Sequence, residues 1–173
     1  TISESSQFNY AKLSYELGFQ PVALNAFRNF LVNYPNSKYA DESNELIAVL
    51  YLNTRNYKDA LTALDNIKVK TNRSKEAYQK VAYYRGVELF NDGYLDNAIS
   101  MFEKAIVNDI NQNLRALAMY WKAEALYKQN KFDAAVKQYR IFIFNPASVN
   151  TDFYELAHYN LGYSHFKNIV YNE

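Results

Sequence analysis

The chain has no cysteine, and only four glycines and three prolines among its 173 residues. The absence of cysteine excludes disulfide bonds, thiolate zinc sites and cysteine nucleophiles. So few glycines and prolines also argue against a loop-rich or all-β fold. Together with helical apolar patterning, this composition predicts a chain that is mostly helix.

Strong charge and long apolar runs are lacking as well. The 19 basic and 18 acidic residues are interspersed and leave a net charge of +1, so we expect no nucleic-acid partner. Hydrophobic residues make up 49% of the chain, yet no run approaches the roughly 20 apolar residues that span a bilayer. We therefore expect no direct membrane insertion. The chain begins with Thr1 and shows no signal segment, which favours a piece of a longer protein.

An internal repeat is the main feature that is present. Alanines recur at intervals of 37, 38 and 37 residues, and each is followed four residues later by an aromatic residue or leucine: Ala23, Ala60, Ala98 and Ala135. Such a period is typical of one supersecondary unit copied and stacked. The apolar spacing predicts helix pairs over 41–53 and 57–67, 75–91 and 95–108, and 114–129 and 132–144. Thr151 is the expected N-cap of a further helix over 152–167.

Three more positions keep the same register. A small residue recurs in each first helix (Ala11, Ala48, Gly86, Ala123, Gly162). A bulky residue follows each repeated alanine (Phe27, Leu64, Phe102, Tyr139), and a last packing position follows it (Phe30, Ile67, Ala105, Phe142). This pattern resembles the tetratricopeptide repeat, a helix–turn–helix unit of about 34 residues. The resemblance implies an all-α, right-handed superhelical solenoid of about four and a half repeats. It would form a single array over 1–173, with units 4–37, 38–73, 74–112, 113–150 and a partial 151–173, continuing in a larger protein.

The spacing is longer than that of the family, and the surplus falls in loops between units. The loop Tyr34-Pro35-Asn36-Ser37 is similar to that of a longer-spaced bacterial subgroup, which includes outer-membrane assembly lipoproteins and the periplasmic coordinator of the Tol–Pal system. This similarity implies a periplasmic or outer-membrane-associated protein, with the cytoplasm as the alternative.

The resemblance also implies a concave groove lined by first-helix residues, and hence a partner-binding aromatic stripe: Tyr15, Tyr83, Phe90, Tyr120, Tyr127, Tyr159, Tyr163 and Phe166. Tyrosine offers a rigid apolar ring with a polar tip, which suits a binding surface. An equally open alternative is that these rings fill gaps between adjacent helices. The implied function is a non-enzymatic scaffold for a protein or peptide partner. The alternatives are a structural spacer within a larger repeat protein and an envelope assembly or chaperone-like adaptor.

No catalytic, cofactor or metal site is predicted. His158 and His165 lie two helical turns apart, roughly 10.5 Å, so one metal ion cannot bridge them. We expect both to pack against the preceding helix. Acidic pairs such as Asp41 and Glu42 fall in a first helical turn, where they stabilise the helix end. The last helix lacks a partner helix in this sequence, so we expect it to fray or to mediate self-association.

Overall fold

The computed structural model describes residues 3–172, with side chains described up to residue 169. All regular secondary structure in this part of the chain is helical. The α-helices are α1 (Glu4–Glu16), α2 (Gln20–Asn33), α3 (Ala40–Asn53), α4 (Tyr57–Asp65), α5 (Asn72–Asn91), α6 (Leu95–Val107), α7 (Gln112–Lys128), α8 (Phe132–Ile143) and α9 (Tyr154–Asn172). A short 3-10 helix, Pro146–Asn150, precedes α9. None of these described helices is long and apolar enough to cross a membrane.

The chain forms two compact units, Thr1–Ala77 and Tyr78–Glu173, and α5 begins in the first and ends in the second. In the first unit α1 packs on α2, α2 on α3, and α3 on α4. In the second unit α6 packs on α7, α7 on α8, and α8 on α9. This packing of consecutive helices confirms the predicted all-α, helical-repeat fold. The single array of five repeat units and the right-handed superhelix stay predictions.

The same turn closes the first helix of each of the first four helix pairs. One residue per turn has a positive φ: Gly18 (79°), Arg55 (59°), Gly93 (82°) and Asn130 (58°). The next residue donates its backbone N–H to the carbonyl five residues earlier, over 2.9–3.0 Å (Phe19 to Ser14, Asn56 to Tyr51, Tyr94 to Leu89, Lys131 to Leu126). This pattern is a Schellman motif, which satisfies carbonyls at the helix end. Arg55, Gly93 and Asn130 fall in the gaps between the helices predicted for the second, third and fourth pairs, which confirms those gaps.

The repeated small residues lie where helices meet. The four repeated alanines have no exposed surface, and neither do Ala11, Ala48 and Ala123. At Gly86 an added Cβ would come within 2.6 Å of the Phe102 ring. The expectation was wrong for Gly162, which is exposed and has no heavy atom within 4 Å of an added Cβ. No described helix crosses α9 at that point.

Polar side chains at one repeat position form hydrogen bonds with the loops between successive hairpins. Asp41 accepts the backbone N–H groups of Lys68 and Val69, both at 2.9 Å. Gln79, which follows Asp41 by one repeat and is fully buried, accepts the N–H of Asn111 at 2.7 Å and donates to its carbonyl at 3.0 Å. These bonds satisfy backbone groups that would otherwise lack partners near the core. The Asp41 carboxylate therefore binds the loop after α4 and also lies in the first turn of α3, where an acidic residue stabilises the helix end.

Two predicted helix starts were wrong. Thr71 and Ser74 bond each other's backbone N–H, at 2.9 and 3.1 Å, in the reciprocal manner of a capping box, so α5 begins at Asn72 rather than at 75. Thr151 does not cap α9. Its hydroxyl instead donates to the Ser148 carbonyl at 2.7 Å at the end of the 3-10 helix, and α9 begins at Tyr154.

Candidate binding site

Burial divides the predicted aromatic stripe into three groups. Tyr83, Phe90 and Tyr120 are core residues with 9%, 5% and 3% of their surface exposed. Tyr15 and Tyr127 are half-buried. Tyr159, Tyr163 and Phe166 on α9 are exposed by 68%, 40% and 57%. The expectation that the first three rings form an open surface therefore needs correction, because their rings already have partners within the chain.

Those partners are other side chains of the second unit. Tyr120 stacks on Phe153 with ring centres 4.4 Å apart and an angle of 15° between the rings. Phe90 meets Trp121 edge-on at 5.1 Å, and the Lys128 ammonium lies 4.2 Å from the Phe90 ring centre. For these residues the gap-filling interpretation is the one that fits. The helical period could not show which side chains cover them.

The three exposed rings of α9 and the half-buried Tyr127 of α7 form one surface, which we call the aromatic face and define as Tyr127, Tyr159, Tyr163 and Phe166. Tyr163 lies at its centre, with its ring 6.3 Å from Tyr159, 6.2 Å from Phe166 and 6.1 Å from Tyr127. The Tyr159 and Tyr163 rings are nearly parallel, at 6°. The face therefore presents ring surfaces from α9 with one ring of α7 beside them.

Cations lie at the edge of the aromatic face. The Lys167 ammonium is 5.5 Å from the centre of the Tyr163 ring. Lys128 follows Tyr127 directly and lies over the Phe90 ring. A lysine over an aromatic ring is attracted to its negative face and covers apolar area with its methylene chain. The aromatic face is thus bordered by positive charge.

A hydrogen-bond network fixes the position of α9 and so of the aromatic face. The Tyr139 hydroxyl donates to Glu124 Oε1 at 2.5 Å, and Asn160 Nδ2 donates to the same oxygen at 2.6 Å. Burial and the neighbouring Glu124 carboxylate raise the pKa of Tyr139 and of Tyr120. Both phenols therefore stay neutral well above pH 7. The network joins α7, α8 and α9, and it was not predicted, because Tyr139 was expected only to pack.

The histidines and acidic pairs do not converge on a reactive centre. Both histidines are exposed, and His165 Nε2 lies 3.2 Å from an Arg140 guanidinium nitrogen. The His158 ring meets Tyr154 edge-on at 5.0 Å. Lys12 Nζ pairs with Glu42 at 2.8 Å. Within residues 3–172, no group of three or more histidine and acidic side chains is placed to hold a metal ion.

Part of the second unit is similar to a known family of repeats. Residues 83–148 match the model of the tetratricopeptide repeat. The matched segment begins within α5, contains α6, α7 and α8, and ends within the 3-10 helix. It includes two of the four repeated alanines, Ala98 and Ala135. The match covers less than half of the chain and leaves α9 outside. No curated protein matches the chain significantly.

Tetratricopeptide repeats generally act as non-enzymatic modules for protein–protein interaction. The geometry of the second unit agrees with such a role, because its helices are joined by short turns and carry an exposed aromatic surface.

Proposed function

We propose that this protein is a non-enzymatic interaction scaffold that docks an apolar or aromatic segment of a partner protein on the aromatic face. The observation that carries the proposal is the exposure of three adjacent rings, Tyr159, Tyr163 and Phe166, on one side of α9. Contiguous exposed apolar surface of this kind marks interaction sites on proteins. Tyrosine is also enriched among the residues that dominate binding energy.

The surface chemistry supports a specific kind of partner. The rings offer apolar area for leucine-like or aromatic side chains, and the tyrosine hydroxyls can bond a peptide group. Lys167 and Lys128 at the edge favour a partner that carries an acidic residue beside its apolar ones. Lysines scattered between aromatic rings differ from a clamp for acidic C-terminal peptides, so the apolar segment is the favoured ligand.

Selection of peptides from a random displayed library, followed by affinity measurement, tests this proposal. Peptides enriched against the whole chain should carry aromatic or aliphatic residues. They should lose affinity by about 30-fold or more with Tyr163→Ala, since a central anchor contributes about 2 kcal/mol or more. Tyr159→Ala should weaken the same peptides to a similar or smaller extent.

Tyr94→Ala is the matched control, because Tyr94 belongs to the same unit, is 61% exposed, and lies before α6 rather than on the aromatic face. It should leave affinity within about twofold. Selected peptides that bind Tyr163→Ala and the parent chain equally would contradict the proposed docking position. A chain that enriches no peptide at all would favour the structural spacer.

We also propose membership of the longer-spaced bacterial envelope subgroup, on the strength of the loop after α2. In that loop the Ser37 hydroxyl accepts the Tyr39 N–H at 3.0 Å, and Tyr39 stacks on Phe8 at 4.4 Å. The loop therefore joins the first hairpin to the helix that follows it. Fractionation of cells that express the full-length parent protein tests the envelope location, and recovery only in the cytoplasm would contradict it.

A further inference from the structure

Residues of α2, α3 and α4 line an open cleft in the first unit. Its volume is about 320 Å³, which lies in the range of small-molecule sites in proteins. Asn44 and Ile47 of α3 and Ala63 of α4 are its most buried lining residues, at 5–7% exposure, and form its floor. Arg28 of α2 is exposed and lies at the rim. Described helices therefore form both walls and the floor of the cleft.

The same place in the second unit is bridged by an ion pair. The equivalent of each cleft residue lies two repeats later in the chain. At the equivalents of Ile47 and Arg28, Lys122 Nζ pairs with Glu103 Oε1 at 2.9 Å and so joins α7 to α6. Ile47 carries no charge, so this bridge cannot form across the cleft of the first unit.

The floor of the cleft holds an amide where the second unit has an apolar side chain. Met119, the equivalent of Asn44, belongs to a buried hydrophobic cluster. Asn44 Nδ2 donates to the Ala40 carbonyl at 3.0 Å, but no described residue donates a hydrogen bond to Asn44 Oδ1. A buried acceptor without a donor is destabilising. The cleft therefore suits a ligand that brings an O–H or N–H group to this oxygen.

An unpaired cation lies at the rim of the cleft. Among residues 3–169, no side chain forms an ion pair or hydrogen bond with the Arg28 guanidinium. A guanidinium matches a carboxylate with two parallel hydrogen bonds. Asp59, the acidic lining residue, already accepts Asn56 Nδ2 at 2.9 Å. The free charge in the cleft is thus positive and favours an anionic ligand.

We propose that this cleft binds a small aliphatic carboxylate that also carries a hydroxyl or N–H donor. The ligand carboxylate pairs with Arg28, the donor binds Asn44 Oδ1, and the aliphatic part packs on Ile47 and Ala63. The volume of the cleft limits the ligand to a small molecule. The site belongs to the first unit, whereas the aromatic face belongs to the second, so this inference goes beyond the function proposed above.

Leucic acid, the α-hydroxy analogue of leucine, is the probe, because it combines a carboxylate, a hydroxyl and a branched aliphatic chain. It is added to the isotope-labelled whole chain at pH 7 and followed by NMR. The side-chain amide resonances of Asn44 should shift in a saturable manner, with a dissociation constant of about 10 mM or below.

Two analogues test the two polar contacts separately. Isocaproic acid lacks the hydroxyl and should bind at least about threefold more weakly than leucic acid. The amide of leucic acid lacks the negative charge and should bind at least about tenfold more weakly.

Substitutions in the cleft assign these contacts to residues. Arg28→Gln, at an exposed position, should weaken leucic acid binding at least about tenfold. Asn44→Met introduces the residue of the second unit and should abolish the preference for leucic acid over isocaproic acid. Circular dichroism should show an unchanged or higher melting temperature for Asn44→Met, because the unpaired acceptor is removed. Lys58→Gln is the matched control, since Lys58 is exposed on α4 outside the cleft, and affinity should stay within about twofold.

Three results overturn the proposal. The first is the absence of saturable shifts up to about 50 mM leucic acid, which leaves the cleft to water alone. The second is equal affinity for leucic acid and its amide. The third is a preference for leucic acid over isocaproic acid that persists in Asn44→Met.

Discussion

The substitution of alanine for glycine at two equivalent repeat positions should have opposite effects on stability. At Gly86 the new Cβ falls 2.6, 2.7 and 3.1 Å from three atoms of the Phe102 ring. Phe102 has no exposed surface, so its ring has no free space to move into. Overpacking of this kind costs about 1–3 kcal/mol. The higher helix propensity of alanine offsets up to about 1 kcal/mol, so we expect a net destabilisation of about 1–2 kcal/mol.

Gly162→Ala is the matched control. No heavy atom lies within 4 Å of its new Cβ, so the substitution brings only the higher helix propensity. It should stabilise α9 by about 0.5–1 kcal/mol. The single tryptophan, Trp121 in α7, belongs to the same unit as both glycines and reports its unfolding. Urea unfolding followed by Trp121 fluorescence measures the free energy of unfolding of both variants. The slope of free energy against urea concentration must be the same in both variants for the values to be compared.

A third variant tests the cause of the effect at Gly86. Phe102→Leu removes ring atoms at the contact, so Gly86→Ala should cost less in that background than in the parent chain. A Gly86→Ala chain as stable as the parent would refute the close packing of α5 on α6. Equal loss of stability from the two substitutions would contradict the structure, in which the Phe102 ring packs against Gly86 and no described side chain packs against Gly162.

Three further predictions concern the repeat positions and the buried phenol. Ala98→Leu should destabilise by about 1–3 kcal/mol in urea unfolding, because Ala98 has no exposed surface; an unchanged midpoint would contradict the repeat register. Arg55→Gly should raise the free energy of unfolding, because a positive φ strains arginine. Gly93→Ala should lower the free energy of unfolding by about 1–2 kcal/mol; a change of the same sign in both would contradict the turn geometry. The raised pKa of Tyr139 contributes stability that is complete below pH about 10 and is lost as pH rises further. Tyr139→Phe should therefore flatten the alkaline decline in Trp121-monitored stability, and an unchanged pH profile would exclude this phenol as its source.

The repeat register could be predicted because it depends on local chemistry. A buried alanine tolerates a close helix contact, and a turn residue with positive φ must precede it by a fixed number of residues. These constraints recur in sequence, and the structure confirmed Ala98 and its equivalents at 0% exposure. The gaps between the predicted helices contain Arg55 and Asn130, although neither is the glycine that such a turn prefers.

The sequence could not predict which side chains pack over each aromatic ring, because those side chains are distant from the ring in sequence. Tyr120 and Tyr159 share one repeat position, yet Phe153 covers the first and the second is exposed. The bonds of Glu124 to Tyr139 and Asn160 likewise join three helices. The 3-10 helix was missed because five residues are too few to show a period.

Partner contact at the aromatic face is the central claim, and ring resonances measure it directly. Tyrosine residues labelled in the ring can be followed by NMR while a selected peptide is added to the whole chain. We predict that the Tyr159 and Tyr163 resonances shift in a saturable manner and that the Tyr94 resonance stays unchanged. Saturable binding that leaves Tyr159 and Tyr163 unperturbed would contradict the account.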